Sequence, residues 1–268
     1  IICSKSNLLY GLNIVSKAVP TRTTMAILEC ILIDASAGEI KLTANDMELG
    51  IETKIEGEIE ERGIIALDAK VFSDIVRKLP DNEVVIETDS SFKTTITCEK
   101  AKFNIPGKSG EDFAYLPMIE KDEPLTISQY TLKEMIRQTI FSIAVNENNK
   151  LMTGELFEIK NNCLKVVSLD GHRISIRKMS LKKDYSDRKV VVPGKTLSEI
   201  SKILSGEVDD QVSIYFTKNH ILFEFDDTIV VSRLIEGEYF RIDQMLSSDY
   251  DTKPVSYTHL RAHETRHD

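Results

Sequence analysis

The stretch Leu67-Asp68-Ala69-Lys70-Val71-Phe72-Ser73-Asp74-Ile75-Val76-Arg77-Lys78-Leu79 returns 125 positions later as Val192-Pro193-Gly194-Lys195-Thr196-Leu197-Ser198-Glu199-Ile200-Ser201-Lys202-Ile203-Leu204. Lys, Ser, Ile and Leu recur at matched places, Asp74 faces Glu199, and Arg77 faces Lys202. Working outward, Ile40, Leu42 and Asp46 fall on Leu164, Val166 and Asp170 at an offset of 124. Gly110-Glu111-Asp112-Phe113 answers Gly237-Glu238-Tyr239-Phe240 at an offset of 127. A period this long is too long for a solenoid and matches a whole domain. The chain reads as a duplicated domain.

Apolar spacing gives each repeat the same grammar of a short strand, an amphipathic helix and a run of strands. Helices are expected over residues 5–19, 69–79, 131–144 and 194–204, with Pro20 and Pro80 closing the first two. In the first repeat, strands are expected over 26–33, 39–44, 49–59, 64–67, 83–87, 93–98 and 102–105. In the second they fall over 125–127, 156–159, 164–168, 173–178, 189–192, 211–216, 220–225 and 228–234. The clearest alternation places Ile51, Thr53, Ile55 and Ile59 on one face and Glu52, Lys54, Glu56, Glu58 and Glu60 on the other. The expected class is α+β: in each repeat, two helices on one face of antiparallel sheets of about eight strands. The boundaries are 1–118 for the first domain, 119–124 for the linker and 125–240 for the second, each domain with its own core.

Composition limits the functional classes. No apolar run nears the ~20 residues that span a bilayer, and the start lacks a signal-peptide pattern, so a cytoplasmic protein without a membrane partner is expected. Cys3, Cys30, Cys98 and Cys163 are scattered through apolar or alternating segments, which suits reduced, packed thiols better than disulfides. A formal charge of −9 argues against indiscriminate coating of nucleic acid. The helices run the other way. Lys5 and Lys17 meet no acid, Lys70, Arg77 and Lys78 meet only Asp74, and the later two helices each carry two cations against one acid. The four helices total +6, leaving about −15 for the rest. Lys and Arg are also good helix formers with solvated heads, a blander reading; Glu is as good a helix former and is scarce here.

Ser168-Leu169-Asp170-Gly171-His172-Arg173-Ile174, preceded by Phe157-Glu158 and followed by Val190-Val191-Val192-Pro193, resembles the second domain of the bacterial DNA polymerase III beta subunit family, the sliding clamps. Pro20-Thr21-Arg22-Thr23-Thr24-Met25-Ala26-Ile27-Leu28 resembles a loop of the family's first domain. The resemblance covers residue 1 to about residue 246 and implies the DNA-clamp fold, a ring with helices lining the hole and sheets outside. It implies a non-enzymatic processivity factor that tethers the replicative polymerase to duplex DNA, without cofactor or metal. Implied partners are sequence-independent double-stranded DNA, the DNA polymerase III alpha subunit, the clamp loader and other clamp-binding peptides.

Residue by residue, the resemblance places Arg22, Lys70, Arg77, Lys195 and Lys202 at DNA-facing positions and Asn146 in a polar DNA-facing loop. It makes Met152, Leu169, Gly171, His172, Arg173 and Ile174 one wall of an apolar cleft for partner peptides, joined by Met245. Tyr239-Phe240-Arg241-Ile242 departs from the family's Phe-Pro-Asp-Tyr. The family's third domain is not seen, with residues 241–253 starting the connection to it. A homodimer ring is thus expected of the full length and a monomer of this chain. The alternative is a complete two-domain DNA-binding or scaffold protein that closes no ring.

Three signals look chemical. Pro106-Gly107-Lys108-Ser109 and Pro193-Gly194-Lys195-Thr196 end like phosphate-binding loops, but Lys102 and Lys189 stand where the required earlier glycine belongs. His172 beside Asp170 hints at acid–base hydrolysis, yet no nucleophile pattern accompanies it. His259, His263 and His267 have metal-ligand spacing on a helix. Residues 255–265, however, read like an in-frame translation of a library adapter, so residues 254–268 are expected to be a non-native tail.

Overall fold

The computed structural model describes residues 1–145 and 149–245. The first repeat runs β1 (Ile2–Ser4), α1 (Lys5–Val15), β2 (Cys30–Asp34), β3 (Ile40–Asn45), β4 (Leu49–Ile55), β5 (Ile64–Asp68), α2 (Ala69–Lys78), β6 (Glu83–Thr88), β7 (Lys93–Cys98) and β8 (Ala101–Ser109). The second runs β9 (Leu125–Ser128), α3 (Gln129–Arg137), β10 (Gly154–Lys160), β11 (Cys163–Leu169), β12 (Ile174–Ser180), β13 (Arg188–Pro193), α4 (Gly194–Ile203), β14 (Gln211–Phe216), β15 (His220–Phe225) and β16 (Thr228–Arg233). Element for element the two orders agree, with two helices and eight strands in each.

Local chemistry sets the helix starts. Ser4, Asp68 and Ser128 accept the backbone N–H of Asn7, Val71 and Thr131, answering donors that a first turn leaves open. Pro193 opens α4 without such a bond. Two helices are shorter than periodicity predicts. Beyond α1 the chain tightens into a 3-10 turn at Ser16–Ala18, where the Ser16 hydroxyl bonds the Leu12 carbonyl. Helix α3 stops at Arg137 because Thr139 leaves helical geometry at φ −125 and turns its hydroxyl back on the Met135 carbonyl. The strand expected over 26–33 begins at Cys30; before it, turns bond Leu28 to Met25 and Cys30 to Ile27.

All strand pairs are antiparallel. One sheet of twelve runs β1-β6-β7-β8-β5-β2-β3-β4-β16-β15-β14-β9, and one of four runs β12-β11-β10-β13. The repeats join where β4 pairs with β16, from Thr53 opposite Thr228 to Leu49 opposite Ser232. At this seam the Thr53 and Thr228 hydroxyls lie 2.9 Å apart, fully buried among β-branched neighbours. Ile51 and Val230, opposite each other, both turn into the core that the helices cover. That core is one continuous apolar cluster from Cys3 to Leu234, rather than the separate core expected for each repeat. Accordingly Ile1–Gly237 forms a single compact unit. Helix α1 packs beside α2, and α3 beside α4. In the remaining segment, Tyr239 and Phe240 make an edge-to-face pair and Ile242–Met245 form a short helix, α5.

Candidate functional site

On α2, Lys70, Asp74 and Arg77 follow at i, i+4 and i+7, one face of a helix whose other face buries Ala69, Phe72, Ser73 and Val76. Helix α4 repeats the arrangement with Lys195, Glu199 and Lys202 opposite Gly194, Thr196, Leu197 and Ile200. All four cations are exposed. Arg77 lies 3.4 Å from Asp74, and Lys202 lies 2.7 Å from Glu199. Lys195 pairs with Asp46 across the seam, while Lys70 has no ion pair among the described residues. On α3, Arg137 holds Glu134 with two bonds of 2.8 Å, which keeps that carboxyl below its ordinary range. Lys133 donates to the Leu204 carbonyl and so finishes α4. Exposed pairs of this kind are worth ~1 kcal/mol or less, so a competing phosphate can displace the carboxylates. Arg22 is exposed among the bends before β2, and Asn146 lies outside the described residues.

The second cluster is the β11–β12 hairpin. Leu169 and Ile174 pair across it, Leu169 fully buried and Ile174 half-buried. Asp170 Oδ1 accepts the backbone N–H groups of His172 and Arg173 at 3.1 Å, and Oδ2 accepts Arg173 Nε at 2.9 Å. These bonds, led by the His172 amide, hold the Asp170 carboxyl below its usual range. The bond between Asp170 and His172 is thus made by backbone, and the carboxylate is committed to the turn. Gly171 sits at φ +86 with open space where a Cβ would be, and Arg173 lies over the exposed Phe141 ring. Met152 is half-buried on a separate 3-10 turn, Lys150–Thr153. Met245 ends α5 and is 46% exposed.

The turn between β3 and β4 is built the same way. Asp46 Oδ1 accepts Glu48 and Leu49 N–H groups at 2.9 and 2.6 Å, Met47 takes φ +74, and Oδ2 meets Lys195. The matched aspartates in the sequence foretell the shared turn. They carry no signal that Lys195, 149 residues away, would be the partner.

Glu155, at the start of β10, was also missed. It is fully buried, and neither carboxylate oxygen meets a hydrogen-bond donor. Burial pushes its carboxyl up to about 8; the nearby Thr139 hydroxyl, already given to the Met135 carbonyl, offsets little of this. Strand alternation puts Glu155 on the face of Phe157 and Ile159, but nothing in the sequence says that its carboxylate meets no donor there.

Among the described residues there is no metal-binding cluster of three or more His, Cys, Asp or Glu, and no helix is long and apolar enough to cross a membrane. His259, His263 and His267 lie outside the described residues. Cys3, Cys30, Cys98 and Cys163 are free thiols.

Two family models match: the N-terminal domain of the DNA polymerase III beta subunit over residues 1–117 and its central domain over residues 126–240. The chain is similar to the beta sliding clamp of Staphylococcus epidermidis, 35% identical over 250 residues that cover 90% of this chain and 66% of that protein. It is 38% identical to the beta sliding clamp of Halalkalibacterium halodurans over 259 residues, 92% of this chain and 68% of that one. A solved Eubacterium rectale structure, described as a DNA polymerase III beta subunit, superposes with a TM-score of 0.91 at 76% identity, covering 93% of this chain and 68% of its own. The chain spans about two thirds of the length of these relatives.

Proposed function

Because the chain belongs to the DNA polymerase III beta subunit family, we propose that it serves as a processivity factor, a non-enzymatic tether between the replicative polymerase and duplex DNA. The observation that carries this reading is the repeated stripe: cation, acid, cation at i, i+4 and i+7 on α2 and again on α4, in a chain whose net charge is −9. Long flexible cations meet phosphates without reading base edges, so the contact is electrostatic and sequence-blind. Arg22, Lys70, Arg77, Asn146, Lys195 and Lys202 form the DNA-facing set. Acids already paired with three of these cations keep the attraction weak enough for a duplex to slide.

Partner peptides, including those of the polymerase alpha subunit and the clamp loader, dock against Met152, Leu169, Gly171, His172, Arg173 and Ile174, with Met245 contributing from the following segment. The apolar Leu169–Ile174 pair beside the Arg173 guanidinium suits an apolar anchor with a polar neighbour. Residues 1–118 and 125–240 act as repeat domains joined by 119–124, in the cytoplasm.

The test is equilibrium binding to duplex DNA across a salt series. Reversing Lys70, Arg77 or Lys202 to Glu should each lower the slope of log K against log salt by about 1. Reversing the exposed acids Glu56 and Glu58 to Lys should not lower it. Equal behaviour of the two sets would reject the helix face as the DNA surface.

A further inference from the structure

A pocket of about 230 Å³ opens at the seam between the repeats. Its walls include Met47 from the β3–β4 turn, Tyr115 and Leu116 from the segment after β8, and His220, Val231 and Arg233 from β15 and β16. None of these residues belongs to the DNA-facing or peptide-facing sets above. The pocket is complete within the single compact unit.

Met47 is, with Phe92, one of two large apolar residues at positive φ among the described residues. It holds φ +74, a left-handed geometry that costs a residue with a Cβ ~1 kcal/mol relative to glycine. The matching position of the other repeat is Gly171 at φ +86, so the turn itself needs no side chain there. Yet the Met47 side chain is 59% exposed at the pocket rim, and Tyr115 beside the same pocket is 52% exposed. A large apolar side chain is kept largely in water at Met47 where a glycine would hold the same turn, and Tyr115, edge-on to Phe113, stands beside it. Backbone strain at a mostly exposed apolar side chain points to a surface that packs on something else. A thioether is also the apolar group best able to adapt to a partner.

Charge selects the partner's chemistry. His220 and Arg233 sit opposite each other on β15 and β16, and the Arg233 side chain is 62% exposed with only a 3.8 Å contact to Glu236. Glu48, on the turn side, faces the same space. A carboxylate beside an apolar anchor therefore meets Arg233 and His220. Glu48, whose main-chain carbonyl is taken by the Arg233 N–H, leaves its carboxylate to repel a second acid. The pocket's frame is set, because Asn45 donates to the Ala114 carbonyl, accepts from the Met47 N–H and fixes the crossing segment.

We propose that this pocket binds a short extended segment of a partner protein bearing one Leu, Met or Phe anchor followed by a single carboxylate. The Asp170 hairpin is its counterpart in the repeat, but the proposal does not rest on that hairpin's assignment.

The experiment follows the seven methionine methyl groups by NMR in the whole chain, labelled at the methyl carbon. The titrant is the capped peptide Gly-Ser-Leu-Asp-Gly-Ser, with a Lys-for-Asp version as control. The Met47 methyl should shift saturably with the Asp peptide, and the Lys peptide should bind at least tenfold more weakly. Met47→Gly should weaken binding at least tenfold with thermal stability unchanged or raised, which removes misfolding as an explanation. Arg233→Glu should invert the preference between the two peptides. No saturable Met47 shift at millimolar peptide, or wild-type affinity in Met47→Gly, overturns the proposal. A shift confined to the Met152 or Met245 methyl also overturns it, while leaving the peptide wall of the proposed function standing.

Discussion

Glu155 carries an acid into a place where no base meets it. Its carboxyl is raised from 4.5 to about 8 by burial, so the folded chain holds a proton that the unfolded chain has already released between those values. Stability from this group is therefore whole below pH 4.5 and is lost as pH rises toward 8, at up to ~1.4 kcal/mol per pH unit. Glu155→Gln should abolish that slope. Denaturant midpoints should coincide for the two proteins near pH 4.5 and diverge in favour of the variant by pH 8. A wild-type midpoint that stays level between pH 5 and 8, parallel to the variant's, would mean the carboxylate is folded in its charged form. Gly50 gives a second single-residue test. A Cβ there would stand 2.0 Å from Leu116 Cδ2, so in Gly50→Ala the Leu116 side chain or the segment carrying it has to shift; displacement of the segment should cost ~1–3 kcal/mol in urea unfolding. If Leu116 simply rotates aside, the variant unfolds at the wild-type midpoint.

Helix starts offer a comparison that the duplication makes possible. Asp68 caps α2 through the Val71 N–H at 2.8 Å, whereas Pro193 at the matched place makes no side-chain bond. Asp68→Ala should cost ~1 kcal/mol in chemical unfolding, with amide exchange rising first at the α2 N-terminus; unchanged exchange there would show that packing alone holds the turn. Elements of this kind were legible in the sequence because they obey local rules. Apolar spacing located helices α1 to α4, and Ile51, Thr53 and Ile55 marked β4. Errors arose where local and tertiary chemistry compete. Phe141 and Ile143 continue an apolar rhythm past Thr139, but the threonine hydroxyl takes the carbonyl that a further turn would need. Ala26, Leu28 and Cys30 alternate like a strand, yet strand pairing of this segment starts only at Cys30, opposite Asp68. In the candidate site, exposed cations at helical spacing could be read directly. Their partners could not: Asp46 for Lys195, or the emptiness around Glu155, exists only once distant segments meet.

The seam turns two repeats into one thermodynamic object. With β4 bonded to β16 and one core running beneath both, calorimetry should find a single transition whose van't Hoff and calorimetric enthalpies agree. Val231→Pro, which strips the donor that β16 gives to β4 opposite Gly50, should split that transition in two. Two transitions in the unaltered chain would show that the seam carries little coupling. Charge, by contrast, belongs to the whole from the start: the split between cationic helices and an acidic remainder was visible in composition, although ion pairs at Asp74, Glu199 and Asp46 temper it. The duplication also leaves β12 where β4 stands in the first repeat, at the end of the four-stranded sheet and with one side unpaired among the described residues. An uncovered strand is a template for whatever strand arrives next, including one from a neighbouring molecule. Arg177 and Lys178, both exposed on β12, are charges of the kind that oppose such pairing. Shelf life thus becomes a question of ionic strength. As salt screens those two charges, light scattering from a concentrated stock should climb, and it should climb sooner for Arg177→Ser than for a matched change on the fully paired β11.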